Sequence, residues 1–120
     1  MGRRQTRGMK AVKAVRAVIP EGVDLDEADE DVLAAVRRAY DRAEALDTDL
    51  DRERAATEPS ANRLTLLAAE VRLQETQGEK WARQVIDRAE AVVKTETKDW
   101  RAQKAARARW DGVANGKAAR

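Results

Sequence analysis

The sequence contains no cysteine, no histidine and no phenylalanine, and aromatic residues of all kinds make up only 3% of it. Without cysteine there is no disulfide framework and no thiolate metal site. Without histidine or cysteine there is no ordinary catalytic triad and no imidazole base. No glycine-rich loop followed by Lys and Ser or Thr is present to cradle a phosphate. No apolar run approaches the roughly 18 residues needed to span a bilayer. The basic N-terminus is not followed by the apolar segment of a secretory signal. These absences point to a soluble, intracellular protein that is not an enzyme, needs no cofactor and does not enter a membrane.

What the sequence has instead is charge, at 38% of residues, and the charge is sorted along the chain. Residues 1–20 carry six basic groups and no acid, whereas residues 21–58 carry fourteen acids against five basic groups. Residues 59–93 balance at five each, and residues 94–120 return to eight basic groups against three acids. Basic ends on a neutral or acidic body suggest arms that meet a polyanion, or that meet the acidic segment of a neighbouring subunit.

Between those ends the apolar residues keep helical time. Leu25, Val32, Val36, Ala39, Ala43, Leu46 and Leu50 alternate in steps of three and four, with one missing member at Asp29. Leu64, Leu67, Val71, Gln74, Gly78, Trp81, Val85 and Val92 follow the same rule. That is the seam of a coiled coil or of an antiparallel hairpin. Thr57-Glu58-Pro59-Ser60 separates the two runs. The spacing predicts one helix from about Asp24, capped by Asp24 with Glu27 three residues on, and a second from Pro59–Ala61 to about Val93–Glu96. Leu33 and Tyr40 sit beside the first seam and widen its apolar face. The fold class is therefore all-α: a long, coiled-coil-like helical hairpin at 23–96, a flexible basic arm at 1–22 and a basic tryptophan-containing tail at 97–120. Within the arm, Met1–Lys10 is too polar to fold alone. The tandem Lys-Ala-Val, Lys-Ala-Val, Arg-Ala-Val at residues 10–18 could form a short basic helix if a partner stabilised it.

A core so poor in bulky side chains is thin, and self-association would cover its remaining stripes. Val36, Tyr40, Leu46, Val71, Gly78, Trp81 and Val85 are the expected oligomer interface. Gly78 costs roughly 1 kcal/mol relative to alanine inside a helix, which suggests close packing at that point.

The arms carry the functional candidates. Arg3, Arg4, Arg7, Lys10, Lys13 and Arg16 at one end, and Arg101, Lys104, Arg107 and Arg109 at the other, could neutralise DNA phosphates in a salt-dependent manner. A solubilising terminus is the plainer reading of the first set. Trp100 and Trp110 stand in a tail that otherwise lacks large apolar groups, and they read as anchors for a protein partner. The alternative is that both pack back onto the hairpin. Asp47, Asp49, Asp51 and Glu58 have the acid spacing of a calcium loop, but Arg52 occupies the position that needs glycine, so no metal site is expected.

The stretch Ala68-Ala-Glu-Val-Arg-Leu-Gln-Glu-Thr on a long helix, followed by Ala105-Ala-Arg-Ala-Arg-Trp-Asp-Gly, resembles the small terminase subunits of tailed bacteriophages, in particular those of phages infecting high-GC actinobacteria. The resemblance spans roughly residues 24–112. It implies a DNA-packaging factor, working in the host cytoplasm, that forms a ring through a central helical hairpin. Such a factor binds double-stranded viral DNA and recruits the large terminase subunit with its ATPase and nuclease, here through Trp100–Trp110. Many members carry an N-terminal helix-turn-helix, for which residues 1–22 are too short. Two other classes fit the same composition: a nucleoid-associated or regulatory DNA-binding protein on a dimeric coiled coil, and a scaffold of phage assembly.

Overall fold

The computed structural model describes the backbone of residues 4–118, and the side chains up to residue 110 apart from those of residues 98 and 99. Three helices account for most of it: α1 (Arg7–Val18), α2 (Glu27–Ala55) and α3 (Ala61–Ala118). The described residues contain no strand, and none of their helices is long and apolar enough to cross a membrane.

The hairpin of α2 and α3 is present, and ion pairs at its two ends give its sense. Arg88 of α3 meets Asp29 and Asp26 at the start of α2, while Arg63 meets Glu53 near its end. Tyr40 faces Gly78 midway. As numbers rise along α2 they fall along α3, so the helices are antiparallel. The turn is held by Ser60. Its N–H donates to Glu53 Oε1 at 2.9 Å, and its hydroxyl accepts from Arg63 N at 3.2 Å, capping α3. Pro59 precedes that cap rather than occupying the first helical position.

The first cap also lies two residues beyond its expected place. Asp26, not Asp24, is the N-cap of α2; it accepts from Asp29 N at 2.8 Å, and Asp29 accepts from Asp26 N at 3.0 Å. Both Asp24/Glu27 and Asp26/Asp29 satisfy the capping spacing. The second pair prevails because Asp29 is drawn into the seam, where it is buried and bonded to Arg88.

The N-terminal segment is not a free arm. Residues 7–18 form α1, three residues longer at its start than the tripeptide repeat suggested, and α1 lies along the hairpin. Thr6 caps it by accepting from Met9 N at 3.1 Å. Val15 is buried with Leu33 and Val85, and Val12, Ile19, Leu25, Val32, Ala82 and Ile86 pack around them. The partner that a short helix needs is thus supplied by the chain itself. After Val18, Ile19-Pro20 turns the chain, and Gly22 takes a positive φ of 82°, which glycine adopts without steric cost.

The tail differs as well. α3 does not stop near Glu96 but continues unbroken to Ala118, giving 58 residues and a rod of about 85 Å at 1.5 Å per residue. α2 covers it only as far as Arg88 and Ala89. Beyond Val93, every side chain described up to Trp110 is exposed.

Candidate interaction surface

The basic residues assigned to the N-terminal arm divide into two groups. Arg4 Nη2 lies 2.6 Å from Glu44. Arg7 reaches Asp47 at 2.7 Å and Glu75 at 3.2 Å, and its backbone N–H donates to Glu44 at 2.6 Å. Arg16 grips both carboxylate oxygens of Glu30, at 2.9 and 2.6 Å. The acidic segment that answers these cations belongs to the same chain. Hydrogen bonds to Asp47 and Glu30 push the Arg7 and Arg16 guanidiniums above their ordinary range, and the bond from Arg16 holds the Glu30 carboxyl below its own. These three arginines therefore each meet a carboxylate of the same chain, although Arg4 and Arg16 remain exposed. Lys10 and Lys13 are exposed and, among the described residues, form no ion pair. Arg3 lies outside the described residues.

The start of α1 is held as tightly as its side. Gly8 N donates to Asp41 Oδ1 at 2.8 Å, and a Cβ at Gly8 would collide with the Arg37 carbonyl and the Asp41 carboxylate. Two acids from α2 thus meet the first N–H groups of α1, where the helix dipole favours negative charge. The crossing of the two helices is what requires glycine at this position.

The expected oligomer interface is largely the interior of one chain. Val36, Val85 and Val71 are buried by α1, α2 and α3 themselves. Gly78 is also buried, and the ring of Tyr40 fills the space where its Cβ would stand. These residues are covered by the facing helix, which leaves them no surface for a second subunit. Leu46 and Trp81 are half-buried. Trp81 lines a shallow groove with Ala35, Arg38, Ala39, Arg42 and Gln74. Because α1 packs over Arg37, Asp41 and Glu44, the groove at Arg38 and Arg42 lies about 100° further round α2 and stays open. Elsewhere, Leu66 and Leu73 are more than half exposed and share one face of α3, about two turns apart. Neither groove nor leucine pair stood out in the sequence, although the seven-residue spacing of Leu66 and Leu73 off the seam was the available signal.

Asp47, Asp49 and Asp51 belong to continuous helix and pair with Arg7, Arg52 and Arg54. Glu58 lies beyond the helix end, in the turn.

On the projecting part of α3, Trp100 and Trp110 are 60% and 75% exposed, so neither packs back onto the hairpin. The Lys104 ammonium stands 5.1 Å from the centre of the Trp100 ring, within range of a cation–π contact. Trp100, Gln103, Lys104 and Arg107 line one hollow. Arg101 and Arg109 fall on other sides of the helix, roughly 100° and 180° from Trp100.

No protein-family model, no curated protein and no solved structure matches this chain.

Proposed function

We propose that this chain is a non-enzymatic viral DNA-packaging factor of the small-terminase kind, acting in the host cytoplasm. It self-associates, with a ring as the expected form, binds double-stranded viral DNA and recruits a large terminase subunit. The observation that supports this reading is the projecting part of α3: a helix whose described side chains are all exposed, rich in basic groups, with two tryptophans held away from the body. DNA contact falls to Lys10 and Lys13 on α1 and Arg101 and Arg109 on α3, which form no ion pair among the described residues. Trp100 and Trp110 are kept for the large subunit. Self-association falls to Leu66 and Leu73, since the seam is already filled.

The test is duplex binding by fluorescence anisotropy across a salt series, combined with mass photometry. Charge reversal at Lys10, Lys13, Arg101 and Arg109 should weaken binding and flatten its salt dependence. Unchanged affinity and slope would remove the DNA-binding reading, and a strictly monomeric protein would remove the ring.

A further inference from the structure

The face of α3 that forms the hairpin core does not end where α2 ends. Eighteen residues make about five helical turns, so side chains that far apart point the same way. Stepping on by that interval from the core residues Ala82, Val85, Ile86, Ala89 and Val92 leads in turn to Trp100, Gln103, Lys104, Arg107 and Trp110. The first set packs against α1 and α2 or lies buried to half-buried at the end of the seam. The second continues the same stripe into solvent, with nothing on it among the described residues.

We infer that this stripe docks an acidic amphipathic helix from another protein, laid along α3 as a continuation of α2. Charge and shape both select that occupant. The stripe is apolar at its ends, where Trp100 and Trp110 stand about 15 Å apart along the axis, and basic between them at Lys104 and Arg107. A matching helix presents apolar side chains to the two indoles and carboxylates to the middle. The hairpin already uses this solution: Asp29 and Asp26 of α2 answer Arg88 of α3 where the covered seam ends. A second copy of the projecting helix is a poor occupant. Lys104 and Arg107 would face their own kind, with Glu96 alone among the described residues of that face to offset them. Duplex DNA would be drawn to the charge but gains nothing from two bulky indoles on the contact line. The inference stands whether or not the protein packages DNA, because Arg101 and Arg109 lie off this face.

The test uses the full chain and three probes. One is a synthetic amphipathic helix with leucines at seam positions and glutamates beside them; the second is its lysine-for-glutamate counterpart; the third is a short DNA duplex. Tryptophan fluorescence and calorimetry report binding. The glutamate helix should bind at least about tenfold more tightly than the lysine helix, and Trp110→Ala or Arg107→Glu should each weaken it by about tenfold, as loss of an anchor does. Because these side chains touch nothing in the body, the thermal melt should not change, which separates lost docking from lost folding. Equal or absent binding of the two helices, or indifference to both substitutions, would overturn the inference. So would duplex binding that falls more with Trp100→Ala and Trp110→Ala than with Arg101→Glu and Arg109→Glu. Self-association abolished by Trp110→Ala would assign the face to a second copy and overturn it as well.

Discussion

Arg88 of α3 reaches across the hairpin to Asp29 of α2, donating from Nε to Oδ1 at 2.6 Å, while the same aspartate closes the capping box of its own helix. The Asp29 side chain is 5% exposed and that of Arg88 45%. One buried carboxylate therefore ends a helix and sets the register of the hairpin. Removing Arg88 strands a buried charge, which costs about 3–5 kcal/mol in a fully dry site; with Arg88 half in water, about 2 kcal/mol is expected for Arg88→Ala. Asp29→Ala also loses its share of the cap, typically about 1 kcal/mol. A double-mutant cycle followed by urea denaturation should give a coupling above about 1 kcal/mol. Additive losses would show that the pair does not set the register.

Tyr40 and Gly78 form the second fixed point. A Cβ at Gly78 would sit 2.6 Å from Tyr40 Cε2 and 2.8 Å from Cδ2. Gly78→Ala gains roughly 1 kcal/mol of helix propensity but forces the ring aside, an overpacking cost of about 1–3 kcal/mol. The net change should be a loss, and adding Tyr40→Leu to clear the space should recover part of it in thermal melts. A stabilised Gly78→Ala variant would show that the ring yields freely.

The Tyr40 phenol titrates above its ordinary value of 10.0, first because burial disfavours the phenolate and then because Glu79 and Glu75 repel it. A pKa raised by folding means the unfolded chain loses its proton first. Stability from this group is complete below about pH 10 and declines as pH rises from there towards the folded value. Tyr40→Phe should remove that part of the alkaline decline and leave neutral stability little altered. An unchanged alkaline limb in the variant would assign the decline to other groups.

The docking of α1 rests on ion pairs near the surface, at Arg4–Glu44, Arg7–Asp47 and Arg16–Glu30. Such exposed pairs are individually weak and are screened by salt. Hydrogen-exchange protection of the α1 amides should fall as salt rises, while that of the α2–α3 core stays constant. Acid should act the same way. The Glu30 carboxyl lies below its ordinary 4.5 because Arg16 bonds it, so its contribution is present above about that pH and is lost as pH falls through the lower folded value. Gly8→Ala, driven into the Arg37 carbonyl, should release α1 at any salt. Salt-independent protection would mean that Val15 and its apolar neighbours hold α1 by themselves.

The hairpin was legible in the sequence because seam spacing and a Pro-Ser turn are local signals. Leu33 was placed beside the seam, yet it is among the most buried residues, since α1 roofs that side. Nothing local could show this: Arg4 and Arg7 find Glu44 and Asp47 forty residues away. Charge sorting left a polyanion and a neighbour's acidic segment both open as partners of the basic ends; in the structure the N-terminal end meets the acidic segment of its own chain, and the C-terminal end does not. Asp29 looked like a gap in the seam because an aspartate is a poor core residue until its partner is known. Gly8 and Gly78 are both sites of close approach, and only Gly78, on the apolar stripe, gave a sign of it.

Self-association is tested at Leu66 and Leu73, which are 61% and 52% exposed on one face of α3. A single exposed leucine is ordinary, but two on one stripe with Ala69 between them make a patch that a second subunit could cover. Leu66→Glu with Leu73→Glu should leave the monomer fold intact, since neither side chain is in the core. The same change should shift mass photometry towards monomer, with each subunit contact weakened by about 1.5–3 kcal/mol per buried leucine. If the double variant assembles as the unaltered chain does, the contact lies elsewhere. The open groove at Ala35, Arg38, Arg42 and Trp81 would then be the next face to alter, and Ala35→Glu there should produce the loss that the leucine pair did not.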